Sequence, residues 1–552
     1  MHSGSWHMSS TSVISSTHQI VTSEDALLNC AIELSRLYAK EIPLSKRKES
    51  GQIFTPKKTA MYMANFFDLS KSDLSLLDPG SGTGNLLSAV CQRIINEAKH
   101  PMNVRIDAFE NDSHVIPYLE QVLDICTNEL EKRGHSLQYT IIKEDFIQSS
   151  QKYLNGSLFS SQDDYHYYDA VISNPPYFKM SKNSIQAIVL KDFVAGQPNI
   201  FSFFMLLSAR MLKRGGEFVF IIPRSFCSGL YYEKIRRWFV YNTRIKWIHS
   251  FESRRNAFGD DDILQENIIL YAIKTDDKTS SLSNACSPSK ISSSYDNTFD
   301  IYTEIEVPYQ DLIYRRDKGS FIRIPTSKTE LDVIKTVDLW SHTLEDFGLR
   351  MSTGPVVDFR TKENLRSKCS QDGCVPLLWM QNVRGETIAW PVDGLNKPQA
   401  IEVNSSTKNI LLPVKNYVLI KRFTSKEQNR RIYATPFLKT DFNTYNYIGL
   451  ENHLNYIHRF RSEMTVDEVY GLTVLLNTKI VDTFFRVLNG NTQVNASEIN
   501  LLPLPDIDII RKIGKSYLDN KEQDSLELDR FVSEFIDIDS MLINRLTELG
   551  SA

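Results

Sequence analysis

The chain has 552 residues, 41% hydrophobic and 24% charged, with a formal net charge of −4. That length exceeds a single core, so two or three domains are expected, and the composition is that of a soluble globular chain, with no apolar run near the length of a membrane span. Seven scattered cysteines, with Cys369 and Cys374 the closest pair and no second pair or histidine cluster near them, speak against a zinc site and predict reduced thiols in a cytoplasmic protein.

Residues 1–8 lack a signal-peptide pattern and read as an expression-tag remnant, with Met8 as the expected native start. Residues 24–40 predict an amphipathic helix with Leu27, Leu28, Ala31, Leu34 and Leu37 on one side. A helix from about Lys57 to Phe67 follows, which Thr55 could cap and whose first turn Pro56 suits. Its start, where backbone N–H groups are unpaired, could hold a carboxylate. Strands then alternate with helices. Strands are expected at 74–78, 104–110, 139–143, 168–173 and 217–222, and helices at 85–98 and 200–212. Such alternation implies an α/β fold, a Rossmann-like parallel sheet with helices on both faces, whose ligands sit beyond the carboxyl ends of the strands.

Four segments fall at those ends. Asp78-Pro79-Gly80-Ser81-Gly82-Thr83-Gly84 is a tight turn, with glycines that let backbone approach a ligand closely. Its spacing is not that of the dinucleotide fingerprint. Glu110 ends the next strand, where an acid can accept from two ribose hydroxyls. Asp145 could accept from an adenine amine, with Phe146 against the ring. The fourth is Asn174-Pro175-Pro176-Tyr177. The exocyclic amine of a base is a poor nucleophile because its lone pair is delocalised into the ring. Two acceptors, the Asn174 side-chain oxygen and the Pro175 carbonyl, could draw that nitrogen toward tetrahedral geometry, while Tyr177 offers a flat face for a ring. Each acid alone reads equally well as a solvated strand end, and the tetrapeptide alone as a turn; their matched positions favour a site.

These motifs resemble those of the S-adenosylmethionine-dependent adenine-N6 DNA methyltransferases. The element at 51–67 precedes the glycine turn, the gamma-class order of Taq-type modification enzymes in bacterial restriction–modification systems. The resemblance covers about residues 50–275. It implies S-adenosylmethionine as cofactor, its methionine part held by the glycine turn and the Thr55-Pro56 region, its ribose by Glu110 and its adenine by Asp145 and Phe146. It implies that Asn174 and Pro175 accept from the target amine of a flipped base on which Tyr177 stacks. A second aromatic clamp is implied later in the chain, for which Phe258 is the candidate and Phe251 the runner-up. No metal is expected.

Residues 275–300, rich in Ser, Asp and Asn, predict a mobile surface loop. From about 338 the pattern changes to short strands and turns, which more loosely resembles a mixed α+β target-recognition domain. The division expected is therefore 1–50 as a helical extension, 51–337 as the catalytic domain and 338–552 as the recognition domain. Lys421, Arg422, Arg430 and Arg431 form the densest basic stretch, with Phe423 inside it, and suggest a phosphate-contacting surface. Asn491 and Gln493 lie in an amide-rich loop able to read adenine edges. Residues 520–549 predict a helix or helix pair packed on a neighbour.

The function expected is site-specific methylation of adenine in double-stranded DNA, in the bacterial cytoplasm at the nucleoid, with a cognate restriction endonuclease as the implied partner of the system. A methyltransferase of a protein glutamine or of an rRNA guanine fits the amino-terminal half but gives the residues after 338 no purpose. A non-catalytic specificity subunit is disfavoured because every motif position holds a competent residue. A fused nuclease is not expected.

Overall fold

The computed structural model of the chain describes residues 25–42, 54–154, 166–181, 183–193, 196, 199–252, 266–275, 287–316, 319–369, 373–424, 428–489, 493–520 and 527–549. They form two compact units that divide between Thr326 and Ser327.

The first unit is built on a sheet of nine strands. In chain order these are β1 Asp73–Asp78, β2 Asn103–Phe109, β3 Ser136–Ile142, β4 Tyr168–Ser173, β5 Leu212–Pro223, β6 Thr243–Phe251, β7 Asn267–Lys274, β8 Ser289–Ser294 and β9 Tyr302–Val307. Their spatial order is β3-β2-β1-β4-β5-β7-β6-β8-β9. β3 to β5 run parallel, and β7 inserts antiparallel between β5 and β6. The helices are α1 Ala26–Glu41, α2 Lys57–Ala64, α3 Asn85–Glu97, α4 Ile116–Lys132, α5 Phe201–Arg210 and α6 Glu233–Asn242. α4 buries Leu119, Val122, Leu123, Cys126 and Leu130, one stripe at helical spacing. α1 buries Leu27, Leu28, Ala31 and Leu34 in the same core as β1 and β2. It is therefore part of this unit rather than a separate extension.

The alternation of β1 to β5 follows the expectation, with two corrections farther along. Part of the segment expected as a loop, Ser289–Ser294, is β8, a strand between β6 and β9. Its serines tolerate burial because their hydroxyls are paired: Ser289 donates to the Ile245 carbonyl, and Ser292 and Ser294 bond the two ring nitrogens of buried His249. The second correction is the domain boundary. The helix α7, Lys328–Val337, contributes Val333, Ile334 and Val337 to the core of the second unit, so that unit begins before residue 338.

The second unit carries an antiparallel sheet of β10 Leu349–Thr353, β11 Tyr417–Lys421, β12 Ala434–Phe437 and β13 Leu454–Arg459, in the order β10-β13-β11-β12, and a second small sheet. Helices of this unit include α8 Val466–Leu476, α9 Lys479–Leu488, α10 Ile507–Asp519, α11 Leu528–Ser533 and α12 Ser540–Leu549, with the short helix Ala496–Asn500 packed on β10. α8 and α10 meet at glycines. A Cβ on Gly471 would lie 1.9 Å from the Ile510 carbonyl oxygen, and one on Gly514 1.9 Å from that of Asp467. The backbones could not approach this closely with any larger residue. Phe531, Ile538, Leu542 and Leu546 of the carboxy-terminal helical segment belong to this unit's own core. No described helix is long and apolar enough to cross a membrane.

Candidate active site

The carboxyl ends of β1, β2 and β4, with the turn after β3, enclose a cavity of about 430 Å³. Its wall brings together Thr55, Gly80, Gly82, Glu110, Asp145, Phe146, Asn174 and Pro176 from the sequence reading. Pro56, Asp78, Gly84, Pro175 and Tyr177 stand outside that wall. Phe54, Asp112, Phe178, Gln186 and Phe204 are among the other residues that line it, and the sequence alone did not single them out.

The glycine turn is shaped by what stands around it. Gly84 has φ +91° and precedes α3, and a Cβ there would lie 3.0 Å from both Leu119 and Val122 of α4. Left-handed backbone and close packing together require glycine at this position. Cβ atoms on Gly80 and Gly82 would lie 3.4 Å from Phe204 and 3.5 Å from Phe54, two of the rings that line the cavity.

Glu110, just past β2, is partly buried. Its Oε2 accepts from the Gly82 N–H at 3.0 Å and its Oε1 from the Asp112 N–H at 2.8 Å. Burial raises its pKa and these amides oppose the shift. Asp145 Oδ1 accepts from the Gln148 N–H at 2.9 Å, capping the helical turn Phe146–Ser149. Its Oδ2 accepts from Gln186 Nε2 at 3.0 Å. Phe146 is buried between Phe109 and Phe204, with ring centroids 5.1 and 5.0 Å away. Asp78, fully buried beneath the turn, accepts from the Gly80 N–H at 3.2 Å through Oδ1, and burial pushes its carboxyl up to about 7.

In the loop after β4, Asn174 Oδ1 accepts from the Tyr177 hydroxyl at 2.9 Å, and Nδ2 donates to Thr55 Oγ1 at 3.2 Å. Thr55 thus does not cap α2 with its side chain; the N-cap is Pro56. Its hydroxyl accepts from Asn174 instead. The Tyr177 hydroxyl also lies 2.8 Å from the Ile221 carbonyl of β5, and burial raises the phenol well above its ordinary value, so it stays a donor. Phe251 is 1% exposed and packs on His249 of its own strand and on Phe299 of the turn between β8 and β9, which rules it out as a base clamp. Phe258 lies outside the described residues.

The basic stretch of the second unit divides. Arg431 is 1% exposed, with its guanidinium donating to Thr424 and Asn489 and its backbone N–H to Asp482. It cannot reach a phosphate, and its assignment to the surface is corrected. Arg422 donates to the Asn452 carbonyl at 2.9 Å and to Gln493 Oε1 at 3.3 Å. Lys421 is half-buried, and desolvation lowers its pKa. Arg430 is partly exposed, and Asn491 lies outside the described residues.

The cavity suits a nucleoside carrying an amino-acid arm. Its volume is that of small-molecule sites, glycines line one wall, and the carboxylates of Glu110 and Asp145 offer hydrogen-bond acceptors at its lining. A sheet of this order, with these groups at its strand ends, defines an S-adenosylmethionine-dependent methyltransferase. Residues 65–258 match the Eco57I restriction-modification methylase family. The chain is 34% identical to the Type II methyltransferase M.BsuBI of Bacillus subtilis over 92% of its own length and 97% of that protein's. It is 32% identical to M.PstI of Providencia stuartii over 89% and 94%. The chain belongs to the type II DNA methyltransferases of restriction–modification systems, and S-adenosylmethionine is its cofactor.

Proposed function

We propose that this enzyme methylates the N6 amine of an adenine flipped out of duplex DNA, within a short specific sequence. The observation that carries the reading is Asn174, an amide held by two side chains at the wall of the cavity and followed by two prolines. A carbonyl oxygen has two lone pairs, so Oδ1 can accept from Tyr177 and from a target amine together. With the Pro175 carbonyl as second acceptor, the amine nitrogen is drawn out of conjugation. S-adenosylmethionine supplies a methyl group activated by its sulfonium. Glu110 holds the ribose hydroxyls and Asp145 the adenine amine, with Phe146 beneath the ring. The base leaves the stack at a cost of about a few kcal/mol, and Tyr177 supports it.

The second unit carries the choice of site in this reading, with Lys421 and Arg430 contacting phosphates. A restriction endonuclease of the same specificity is the partner, and the setting is the bacterial cytoplasm. A glutamine or rRNA methyltransferase is disfavoured by the likeness to type II methyltransferases along nearly the whole chain. The test is to incubate the protein with labelled S-adenosylmethionine and duplex DNA, digest to nucleosides and separate them. Label in N6-methyl-2′-deoxyadenosine is expected, at one motif when the DNA is sequenced by single-molecule methods. Label in a cytosine product overturns the base assignment.

A further inference from the structure

Behind Thr55 runs a chain of buried polar contacts that reaches the first helix. The Thr55 carbonyl accepts from Asn85 Nδ2 at 3.2 Å. Asn85 Oδ1 accepts from the Ser35 hydroxyl at 2.7 Å, and Ser35 also bonds Thr83 Oγ1. Ser35, Thr55, Thr83 and Asn85 are each 5% exposed or less. At its far end the chain meets Asn174 through the Thr55 hydroxyl.

This chain is not what docks α1. The start of α1 is fastened separately, with the Leu27 and Leu28 N–H groups donating to Gln92 Oε1 at 3.0 and 3.4 Å and Asp25 paired with Lys57 at 2.7 Å. Four leucine and alanine side chains bury its apolar face as well. Burying hydroxyls and amides costs free energy that an apolar contact would not, and a satisfied polar network returns rigidity and a single geometry. Rigidity matters at Asn174, because an amide free to rotate presents its oxygen to the amine for only part of the time.

We propose that Thr55 and Ser35 are positioning residues for methyl transfer: Thr55 directly through its hydroxyl, and Ser35 through Asn85 and the Thr55 backbone, fix the plane of the Asn174 amide, so that α1 is part of the catalytic apparatus. The proposal rests on Asn174 accepting from the target amine, the reading given above.

The test uses the full chain with S-adenosylmethionine and cognate duplex DNA, in single turnover, alongside calorimetric cofactor affinity and thermal melting. Thr55→Val removes the hydroxyl at constant shape and, with cofactor at saturation, should slow transfer about tenfold or more, beyond any change in cofactor affinity that its place in the cavity wall brings. Thr55→Ser should restore most of the rate. Ser35→Ala should slow transfer by a smaller factor, and the double variant should be no slower than Thr55→Val, because both act through one amide. Should Thr55→Val fail to fold, Ser35→Ala decides: a slowed kcat supports the proposal, whereas a lowered melting temperature with kcat unchanged overturns it. A Thr55→Val effect confined to the KM for cofactor also overturns it. Asn174→Ala separates the two levels. If that variant is inactive while Thr55→Val and Ser35→Ala transfer at the wild-type rate, only this proposal fails; if Asn174→Ala itself is unimpaired, the reading of the site fails with it.

Discussion

Gln186 donates its side-chain amide to Asp145 Oδ2 at 3.0 Å, and both residues line the cavity proposed to take the cofactor's adenine. Both oxygens of Asp145 are therefore engaged, one by Gln186 and one by the helical turn it caps. An incoming purine amine must share Oδ2 with Gln186 or displace it.

Asp145→Asn tests this. The substituted amide would turn a donor toward Gln186 Nε2 or toward the purine amine, both donors themselves. Cofactor affinity should fall by about tenfold or more, since a hydrogen bond to a charged group contributes roughly 1.5–3 kcal/mol. Calorimetric titration measures it, and an unchanged affinity would remove Asp145 from the adenine pocket.

Asn174→Ala should leave cofactor affinity nearly intact and lower the single-turnover rate by about 10²–10³, the usual cost of losing one group aimed at the reacting centre. Rapid quench with labelled cofactor reads the rate directly. Wild-type turnover would show that the amine is activated elsewhere.

Arg430 and Arg431 should behave as opposites despite adjacency. Arg431→Ala leaves buried acceptors on Thr424 and Asn489 without their donor, and should destabilise the protein by about 2–4 kcal/mol. Arg430→Ala should leave melting unchanged, weaken cognate and random DNA alike and flatten the salt slope by about one unit. Melting curves and binding isotherms at several salt concentrations separate the two. An unaltered slope for Arg430→Ala would make it a solvated surface group.

Asp78 gives the protein a pH-dependent component of stability. Its folded carboxyl titrates at about 7, against an ordinary value of 3.8. Well below pH 4 the group is protonated in both states and imposes no penalty. As pH rises toward 7 the unfolded carboxyl ionises first, so the unfolded state binds fewer protons and stability falls. Asp78→Asn stays neutral throughout and keeps an acceptor for the Gly80 N–H. Denaturant titrations should show the wild type losing stability relative to the variant between about pH 4 and 7, by on the order of 2–4 kcal/mol. Parallel curves would mean that Asp78 is ionised when folded.

The parallel half of the sheet was legible because most of its strands carry short apolar runs that end at a polar residue or proline, as at Asp78, Glu110, Asn174 and Pro223. β4 has the bounds expected, whereas β5 begins five residues early because Gly215, at φ +75°, lets the strand continue through a pair of glycines that reads as a turn. β8 was hidden because serines carry no apolar period; spatial neighbours such as His249 and the Ile245 carbonyl explain them. Gln186, Thr55's true partner and the burial of Arg431 were equally invisible. Each depends on a residue far away in sequence, whereas charge and motif report only on neighbours along the chain.

The guanidinium of Arg422 joins three separate stretches of the second unit: its own strand end, the Asn452 carbonyl and the Gln493 side chain. If these stretches touch DNA, they do not vary independently in evolution. A change at Gln493 removes an acceptor from Arg422 and loosens its hold on the loop at Asn452, so a new target sequence is reached by paired exchanges at 422 and 493 more readily than by single steps. Among relatives of differing specificity, those two positions should change in concert.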